Sequence, residues 1–128
     1  MCAAPGGKTI QTAFHEGVTV VANDLSYSRA LTLSSNIERM GLGNVMVTAM
    51  NLHQFPSSYH HFFDSIILDA PCSGSGMFRK QEEMRLDWTY NKVLECTKTQ
   101  KELLSLADSF LKPGGHLLYS TCSFSYEE

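Results

Sequence analysis

Long hydrophobic runs are missing from this sequence, because stretches such as residues 65–68 fall far short of the roughly 20 apolar residues that cross a bilayer. A basic excess is also missing, since 10 Lys and Arg stand against 13 Asp and Glu, for a net charge of -3. Nucleic-acid affinity depends largely on cations that neutralise phosphates, so such a ligand would have to be held mainly by other parts of the protein. No basic leader precedes an apolar segment, and we therefore expect a cytoplasmic protein without a membrane partner.

Closely paired cysteines are absent as well. The sequence contains four cysteines, none in CxxC spacing: Cys2, Cys72, Cys96 and Cys122. Nothing indicates a secreted protein in which a disulfide framework would form, so we expect free thiols. His60 and His61 belong to a polar loop with no ligand spacing to the cysteines, and no metal site is predicted.

The composition is typical of one compact domain over residues 1–128, with 43% hydrophobic and 18% charged residues. Apolar and β-branched runs predict four buried strands: residues 18–22, 44–48, 63–69 and 116–120. Helical spacing predicts one helix with a Ser26 cap, an apolar face and a stop at Gly41. Its expected apolar face comprises Ala30, Leu33, Ile37 and Met40.

A second helix is predicted over Asn91–Leu111, ended by Pro113-Gly114-Gly115. Its expected apolar face comprises Val93, Cys96, Leu103, Leu104, Ala107, Phe110 and Leu111. Strands that alternate with helices predict an α/β fold with a doubly wound, mostly parallel sheet, in which ligands bind beyond the carboxyl ends of the strands. We expect all the unusual residue clusters of this chain to lie at such carboxyl ends.

In such a fold a first strand precedes the glycine-rich turn, yet Met1 already adjoins that turn, and the chain stops soon after its last predicted strand. We therefore expect a partial domain that is truncated at both ends. A missing central strand would expose apolar surface and a sheet edge, which favours self-association.

The first cluster is the glycine turn Cys2-Ala3-Ala4-Pro5-Gly6-Gly7-Lys8. Its glycines permit positive φ angles and close approach of a ligand to the backbone, which suits a nucleoside cofactor. A P-loop is the main alternative, because Gly7-Lys8-Thr9 matches the end of that motif. However, Cys2 replaces the first glycine of the motif, and the segment up to Pro5 would stiffen the loop. A turn without any ligand is the simplest alternative.

Three polar residues outside the turn are candidate cofactor contacts. Asp24 ends the strand over residues 18–22, where an acidic side chain can bind ribose hydroxyls, although a helix cap explains it equally well. Asn51 follows the next strand and either contacts an adenine edge or serves as a turn residue. Arg29 either supports the cofactor or lies on a solvated helix face, and the sequence alone favours the second interpretation.

Two further clusters each place a cysteine just after a strand, in Asp69-Ala70-Pro71-Cys72-Ser73-Gly74 and in Ser120-Thr121-Cys122-Ser123. If the strands are parallel neighbours, these two thiols approach each other. A thiol nucleophile suits methylation of C5 of cytosine, because that carbon reacts only after a thiolate has added to C6. A base or second thiol must then assist loss of the C5 proton. Asp69 could bind the ring nitrogen edge, and Cys96 is interpreted as a buried hydrophobe.

Together these segments resemble the Sun-type RNA cytosine-C5 methyltransferases, a family that includes bacterial enzymes acting on small-subunit ribosomal RNA. The resemblance runs along nearly the whole chain. It rests on residues 2–8, 23–24, 69–74, 112–115 and 120–123, in family order and at compatible spacing. The segment Gly74–Lys80, with Trp88 and Gln100, is similar to the branch that modifies 16S ribosomal RNA.

The resemblance implies S-adenosyl-L-methionine as cofactor and RNA, in particular ribosomal RNA, as partner. It assigns attack on C6 to Cys122, product release to Cys72, and contact with base or cofactor to Asp69. Residue chemistry alone does not show which of the two thiols attacks. In DNA cytosine methyltransferases the attacking cysteine follows a proline, as Cys72 does here. Asn51 departs from the pattern, since many relatives carry aspartate there. Whether 128 residues suffice for activity is left open.

Overall fold

The computed structural model describes residues 1–128 as two compact units, Met1–Ser57 and Ser58–Glu128. The first unit contains α1 (Gly7–Ala13), β1 (Val20–Asn23), α2 (Tyr27–Arg39), β2 (Val45–Thr48) and a 3-10 turn (Leu52–Gln54). Another 3-10 turn covers Ser57–Tyr59. The second unit contains β3 (Phe63–Asp69), a 3-10 turn (Ser75–Met77), α3 (Glu83–Leu86), α4 (Tyr90–Phe110) and β4 (Leu111–Ser120). None of these helices has the length and apolar character that a membrane crossing requires.

The first unit is a strand, helix, strand crossover. β1 and β2 pair in parallel, with Val20 opposite Val45 and Asn23 opposite Thr48. Both strands were predicted, and the parallel pairing follows because a helix connects them. The carboxyl ends of β1 and β2 therefore lie side by side.

Helix α2 has the predicted cap and stop. Ser26 Oγ accepts the Arg29 N–H at 3.5 Å, and Gly41 follows the helix with a φ of 68° that suits glycine. The predicted apolar face is buried except at Met40, which is 43% exposed. That part of the prediction is wrong because Met40 is the C-cap residue, one position beyond the last helical residue.

The glycine turn is anchored in the apolar core of the first unit. Ala4 of the turn forms one buried cluster with Ala22 of β1 and with Leu33 and Ile37 of α2. Because Ala4 is only 7% exposed, the turn cannot move without disturbing this packing.

The second unit is also a parallel crossover, from β3 through α4 to β4. β3 has the predicted bounds, and its buried residues Ile66 and Leu68 alternate with more accessible ones, as expected of a strand covered on one face. α4 covers that face with a row of buried residues: Val93, Gln100, Ala107 and Phe110. Gln100 is the one polar member of this row, and the predicted apolar face did not include it.

Strand β4 begins earlier than predicted. Leu111 already pairs with Phe63, whereas the next pair is His116 with Ser65, so Lys112–Gly115 forms an irregularity opposite Asp64. A Cβ on Gly115 would lie 2.9 Å from the Asp64 carbonyl oxygen, which explains why glycine is needed where the two strands approach. The Pro-Gly-Gly segment thus ends the helix, as predicted, but it belongs to the strand.

The α/β class with parallel strands is confirmed in both units. The four strands form two parallel pairs, β1 with β2 and β3 with β4. Each pair presents the carboxyl ends of its strands together, and every predicted site residue except Arg29 lies at or after such an end or in the glycine turn.

Candidate functional site

The glycine turn lies at the carboxyl end of β1. The Ala3 N–H donates to the Asn23 carbonyl at 2.9 Å, and α1 begins at Gly7, so the last two residues of the turn already belong to the helix. Gly6 has a φ of 113°, and a Cβ there would lie 2.8 Å from Leu33 Cδ1, so only glycine fits. Gly7 has open space where a side chain would be, and Lys8 is exposed. The turn thus leaves its backbone accessible on one side.

Asp24 fastens this turn to the start of α2. Its side chain is buried, with Oδ2 accepting the Ala4 N–H at 3.1 Å and Oδ1 accepting the Ser26 N–H at 3.1 Å. The carboxylate therefore links the turn to the segment before α2, although the N-cap of that helix is Ser26 and not Asp24. Carboxylate oxygens can accept more than one hydrogen bond, so a role toward a ligand stays a prediction.

Arg29 is the second anchor of the turn. Its Nη2 donates to the Ala4 carbonyl at 2.8 Å and lies 3.4 Å from Asp24 Oδ2. Arg29 does lie on the exposed side of α2, with 58% of its side chain accessible, but its guanidinium also holds the turn, a contact that the favoured interpretation did not include. Its position one turn into α2 brings the long side chain back toward the preceding loop, which sequence spacing alone does not reveal.

Asn51 follows β2 and caps a short 3-10 turn. Its Oδ1 accepts the His53 N–H at 3.0 Å. Asn23, to which the sequence analysis gave no individual role, holds this loop to the end of β1: its side chain accepts the Met50 N–H at 3.0 Å and donates to the Met50 carbonyl at 3.0 Å. Asn51 is therefore a turn residue held beside the end of β1, and its contact with an adenine ring stays a prediction.

The two thiols of the second unit meet, as expected from parallel neighbouring strands. Cys72 Sγ lies 2.7 Å from Cys122 Sγ, and the Cys122 N–H donates to Cys72 Sγ at 3.2 Å. Both are free thiols, with Cys122 exposed and Cys72 half-buried. Asp69 ends β3 opposite Ser120, whose Oγ donates to Asp69 Oδ1 at 2.8 Å. The structure thus brings all three predicted catalytic residues to one end of this strand pair.

The environment of Cys122 favours the protonated thiol. Partial burial, the hydrogen bond and charge of Cys72, and the charge of Asp69 raise the pKa of Cys122 to about 11, against one backbone hydrogen bond that lowers it. Thiolate is the nucleophilic form. Cys122 therefore has to lose its proton before it can attack, either when the substrate binds or by transfer to a nearby base.

Close backbone packing fixes the position of Cys122. The Gly76 N–H donates to the Cys122 carbonyl at 2.8 Å, and a Cβ on Gly76 would lie only 2.6 Å from that oxygen. The Phe124 N–H donates to Ser75 Oγ at 2.8 Å. The serine and glycine loop after β3 therefore supports the loop after β4.

Sequence reasoning missed the polar groups behind the thiols. Glu128 accepts hydrogen bonds from Ser73 and Ser123, which follow the two cysteines, and from Gln100 of α4. Gln100 also donates to the Pro71 carbonyl at 2.9 Å. The signal available in the sequence was Gln100, seven residues after Val93 on the same helix face.

Comparisons with known proteins agree over the whole chain. The family model described as 16S rRNA methyltransferase RsmB/F matches residues 1–128. The chain is 46% identical to ribosomal RNA small subunit methyltransferase F of Vibrio parahaemolyticus over 129 residues, which cover 98% of this chain and 27% of that protein.

Two solved structures share the fold. The crystal structure of PH0851 has a TM-score of 0.92 and 36% identity, covering 98% of this chain and 29% of that one. NSun6 from Pyrococcus horikoshii with SFG has a TM-score of 0.80 and 32% identity, covering 100% of this chain and 33% of that one. The chain spans about 27% of the length of the curated relative. It has the Rossmann-like core of these structures. It belongs to the 16S rRNA methyltransferase RsmB/F family.

Proposed function

We propose that residues 1–128 are part of an S-adenosylmethionine-dependent methyltransferase domain, and that the whole protein methylates C5 of a cytosine in 16S ribosomal RNA. The observation that carries this proposal is the pair of free thiols, Cys72 and Cys122, whose sulfurs lie 2.7 Å apart. Methylation of an exocyclic amine requires no covalent adduct, and two adjacent thiols would have no use there. The family to which the chain belongs supports ribosomal RNA as the substrate.

The chemistry assigns different tasks to the two thiols. The Cys122 thiolate adds to C6 of the cytosine, which breaks the ring conjugation and makes C5 nucleophilic. After C5 has been methylated, its proton leaves to a nearby base, the C5–C6 double bond re-forms, and the carbon–sulfur bond breaks to release Cys122. Cys72 assists this last stage. Its sulfur is close enough to Cys122 to exchange a proton with it.

The high pKa of Cys122 fits a nucleophile that is activated only in the complex. With a pKa of about 11, roughly one thiol in ten thousand is ionised at pH 7. Asp69, half-buried at the end of β3, would bind the ring nitrogen edge and stabilise the adduct. The resting thiol thus stays protonated until a base accepts its proton.

The first unit has features that fit the cofactor. Its turn, Cys2–Lys8, combines a glycine that tolerates no side chain with open space over Gly7, and Asp24 and Arg29 hold it rigid. These residues, with Asn51, would hold S-adenosylmethionine, which supplies an electrophilic methyl group. NSun6 from Pyrococcus horikoshii is a similar structure with SFG, an analogue of this cofactor.

RNA binding has to involve more of the protein than this chain. The net charge of -3 offers little attraction for phosphates, and the chain covers 27% of a curated relative. We infer that the remaining parts supply most of the RNA contacts. A cytoplasmic location and self-association of the isolated 128 residues stay predictions.

The substrate can be tested by bisulfite sequencing of 16S ribosomal RNA from a strain that lacks the gene. We expect one cytosine to lose its methyl group, and plasmids carrying the wild-type gene or Cys96→Ala to restore it. Cys96 is the control, since it is also a free thiol but lies on α4, outside the pair. Restoration by Cys122→Ala, or an unchanged methylation pattern in the deletion strain, would contradict the proposal.

Calorimetry on the purified full-length protein tests the cofactor. We expect S-adenosylhomocysteine to bind, and ATP with magnesium to give no heat. Binding of ATP and magnesium without S-adenosylhomocysteine would instead favour the P-loop interpretation of Gly7-Lys8-Thr9.

A further inference from the structure

One carboxylate behind the thiol pair is surrounded by hydrogen-bond donors. Glu128 Oε1 accepts the Ser73 N–H at 2.7 Å and the Gln100 Nε2–H at 3.1 Å. Its Oε2 accepts the hydroxyls of Ser123, at 2.6 Å, and of Ser73. Ser73 is fully buried and Gln100 is 2% exposed. A single side chain therefore satisfies polar groups that would be costly to leave unpaired.

The donor pattern favours an ionised carboxylate. Ser73 and Ser123 each have one hydroxyl proton, and both donate it to the same Glu128 oxygen. Backbone and amide N–H groups face the other oxygen. Burial by itself would raise the pKa of Glu128, but the hydrogen bonds from Ser123, Ser73 and Gln100 together lower it below its ordinary value.

The groups held by Glu128 are the immediate neighbours of the two thiols. Ser73 follows Cys72 in the loop after β3, and Ser123 follows Cys122 in the loop after β4. Through Gln100, which also donates to the Pro71 carbonyl, the same network reaches the residue before Cys72. No other side chain in these contacts joins both loops to α4.

We propose that Glu128 is a positioning residue for the thiol pair, because its carboxylate joins the residues after Cys72 and Cys122 and so sets the separation of the two sulfurs. This inference rests on the proposed function for its catalytic meaning, but the geometry it concerns can be measured without catalysis. Glu128 touches neither sulfur, and it acts through Ser73 and Ser123.

The neighbouring Glu127 provides a matched control. Its carboxylate accepts a hydrogen bond from the exposed Tyr90 hydroxyl at 3.0 Å and does not join the thiol loops. The two glutamates are adjacent and carry the same charge, so Glu127→Ala changes the net charge of the chain as Glu128→Ala does. Differences between the two variants therefore report the position of the carboxylate.

Phenylarsine oxide is a suitable probe of thiol separation, since its arsenic binds two neighbouring sulfurs. Two As–S bonds replace the As–O bonds, and the oxygen leaves with both thiol protons as one water molecule, so no oxidant is needed. Affinity for the probe is measured on the full-length protein. Cys72→Ala defines the background from other thiols.

We expect Glu128→Ala to weaken capture of the arsenical by about tenfold or more, as befits loss of several hydrogen bonds to a charged group. Glu128→Gln should weaken it less, because an amide oxygen still accepts from two of the donors and the hydroxyls can rotate. Glu127→Ala should match the wild type. In methylation assays, Glu128→Ala should lower kcat while the KM for cofactor and RNA stays near the wild-type value.

Wild-type arsenical capture by both Glu128 variants would overturn the inference, as would equal losses in Glu127→Ala. Circular dichroism on each variant separates displaced loops from loss of folding, and Glu128→Gln keeps the test available if the alanine variant does not fold. If the wild-type protein does not methylate 16S ribosomal RNA, the proposed function fails, yet arsenical capture still decides the role of Glu128.

Discussion

The two units hold their candidate site residues by different means. In the first unit, the glycine turn is fixed by apolar packing of Ala4 and by the buried Asp24, and what it offers a ligand is mostly backbone. In the second unit, the site consists of side chains, with two sulfurs 2.7 Å apart and a polar network behind them. Substitutions should therefore affect mainly stability in the first unit and mainly reactivity in the second.

The difference follows from what each half of the proposed reaction needs. A cofactor can be held by shape and by backbone hydrogen bonds, for which a rigid turn is sufficient. Covalent catalysis requires a nucleophile placed within a fraction of an ångström of its target. A network of serines and a carboxylate around Cys122 provides that control more directly than apolar packing does.

Gly76→Ala should have the largest effect, and it should act on reactivity. The new Cβ would lie 2.6 Å from the Cys122 carbonyl oxygen, a backbone atom, so Cys122 has to shift. We expect the kcat of methylation to fall by about a hundredfold, with a small change in the free energy of unfolding.

Gly43→Ala is the control for that variant, because a Cβ at Gly43 meets open space. It should leave kcat near the wild-type value. Equal activity of Gly76→Ala and the wild type would show that the position of Cys122 is less constrained than the contact indicates.

Asp24→Ala should have a smaller effect and should act on stability. It removes the acceptor for the N–H groups of Ala4 and Ser26 and leaves Arg29 without its carboxylate. We expect a loss of about 2 kcal/mol in the free energy of unfolding, measured by urea denaturation.

Asp64→Ala serves as the comparison for Asp24→Ala. Asp64 also pairs with a cation, Lys112, but its side chain is 86% exposed, and exposed ion pairs contribute little. If both aspartate variants unfold at the same urea concentration, the anchoring role of Asp24 is contradicted.

Local features of the fold were predictable because they depend on neighbours in sequence. The bounds of β3, the Ser26 cap and the glycine stop of α2 all follow from short patterns. The approach of Cys72 to Cys122 was also predictable, since parallel neighbouring strands bring their carboxyl ends together.

The remaining features depend on contacts between distant residues. Arg29 reaches Ala4 across 25 positions, and Glu128 reaches Ser73 across 55. The early start of β4 reflects tertiary pairing of Leu111 with Phe63, which overrides the usual effect of a Pro-Gly-Gly segment. No periodicity in a single sequence encodes such partners.

The pH dependence of Cys122 alkylation should give the smallest but most specific effect. Iodoacetamide reacts with thiolate, so the rate for the Cys122 peptide, followed by mass spectrometry, should rise with a midpoint at about 11. Cys72→Ala should lower that midpoint, because the Cys72 hydrogen bond and charge raise the pKa.

The same shift has a consequence for stability. A thiol whose pKa is raised in the folded state contributes stability below its ordinary pKa of 9.0, and this contribution is lost as the pH rises toward about 11. A wild-type alkylation midpoint at the ordinary value would contradict the described environment of Cys122.

The most direct measurement is a denaturing gel of the full-length protein after reaction with 16S ribosomal RNA and S-adenosylmethionine. We expect Cys72→Ala to accumulate a covalent protein–RNA band, because Cys122 still attacks while release fails. Cys122→Ala should give no band and no methylation. A band from Cys122→Ala and none from Cys72→Ala would reverse the two roles, and the absence of a covalent band from every variant would contradict covalent catalysis by this thiol pair.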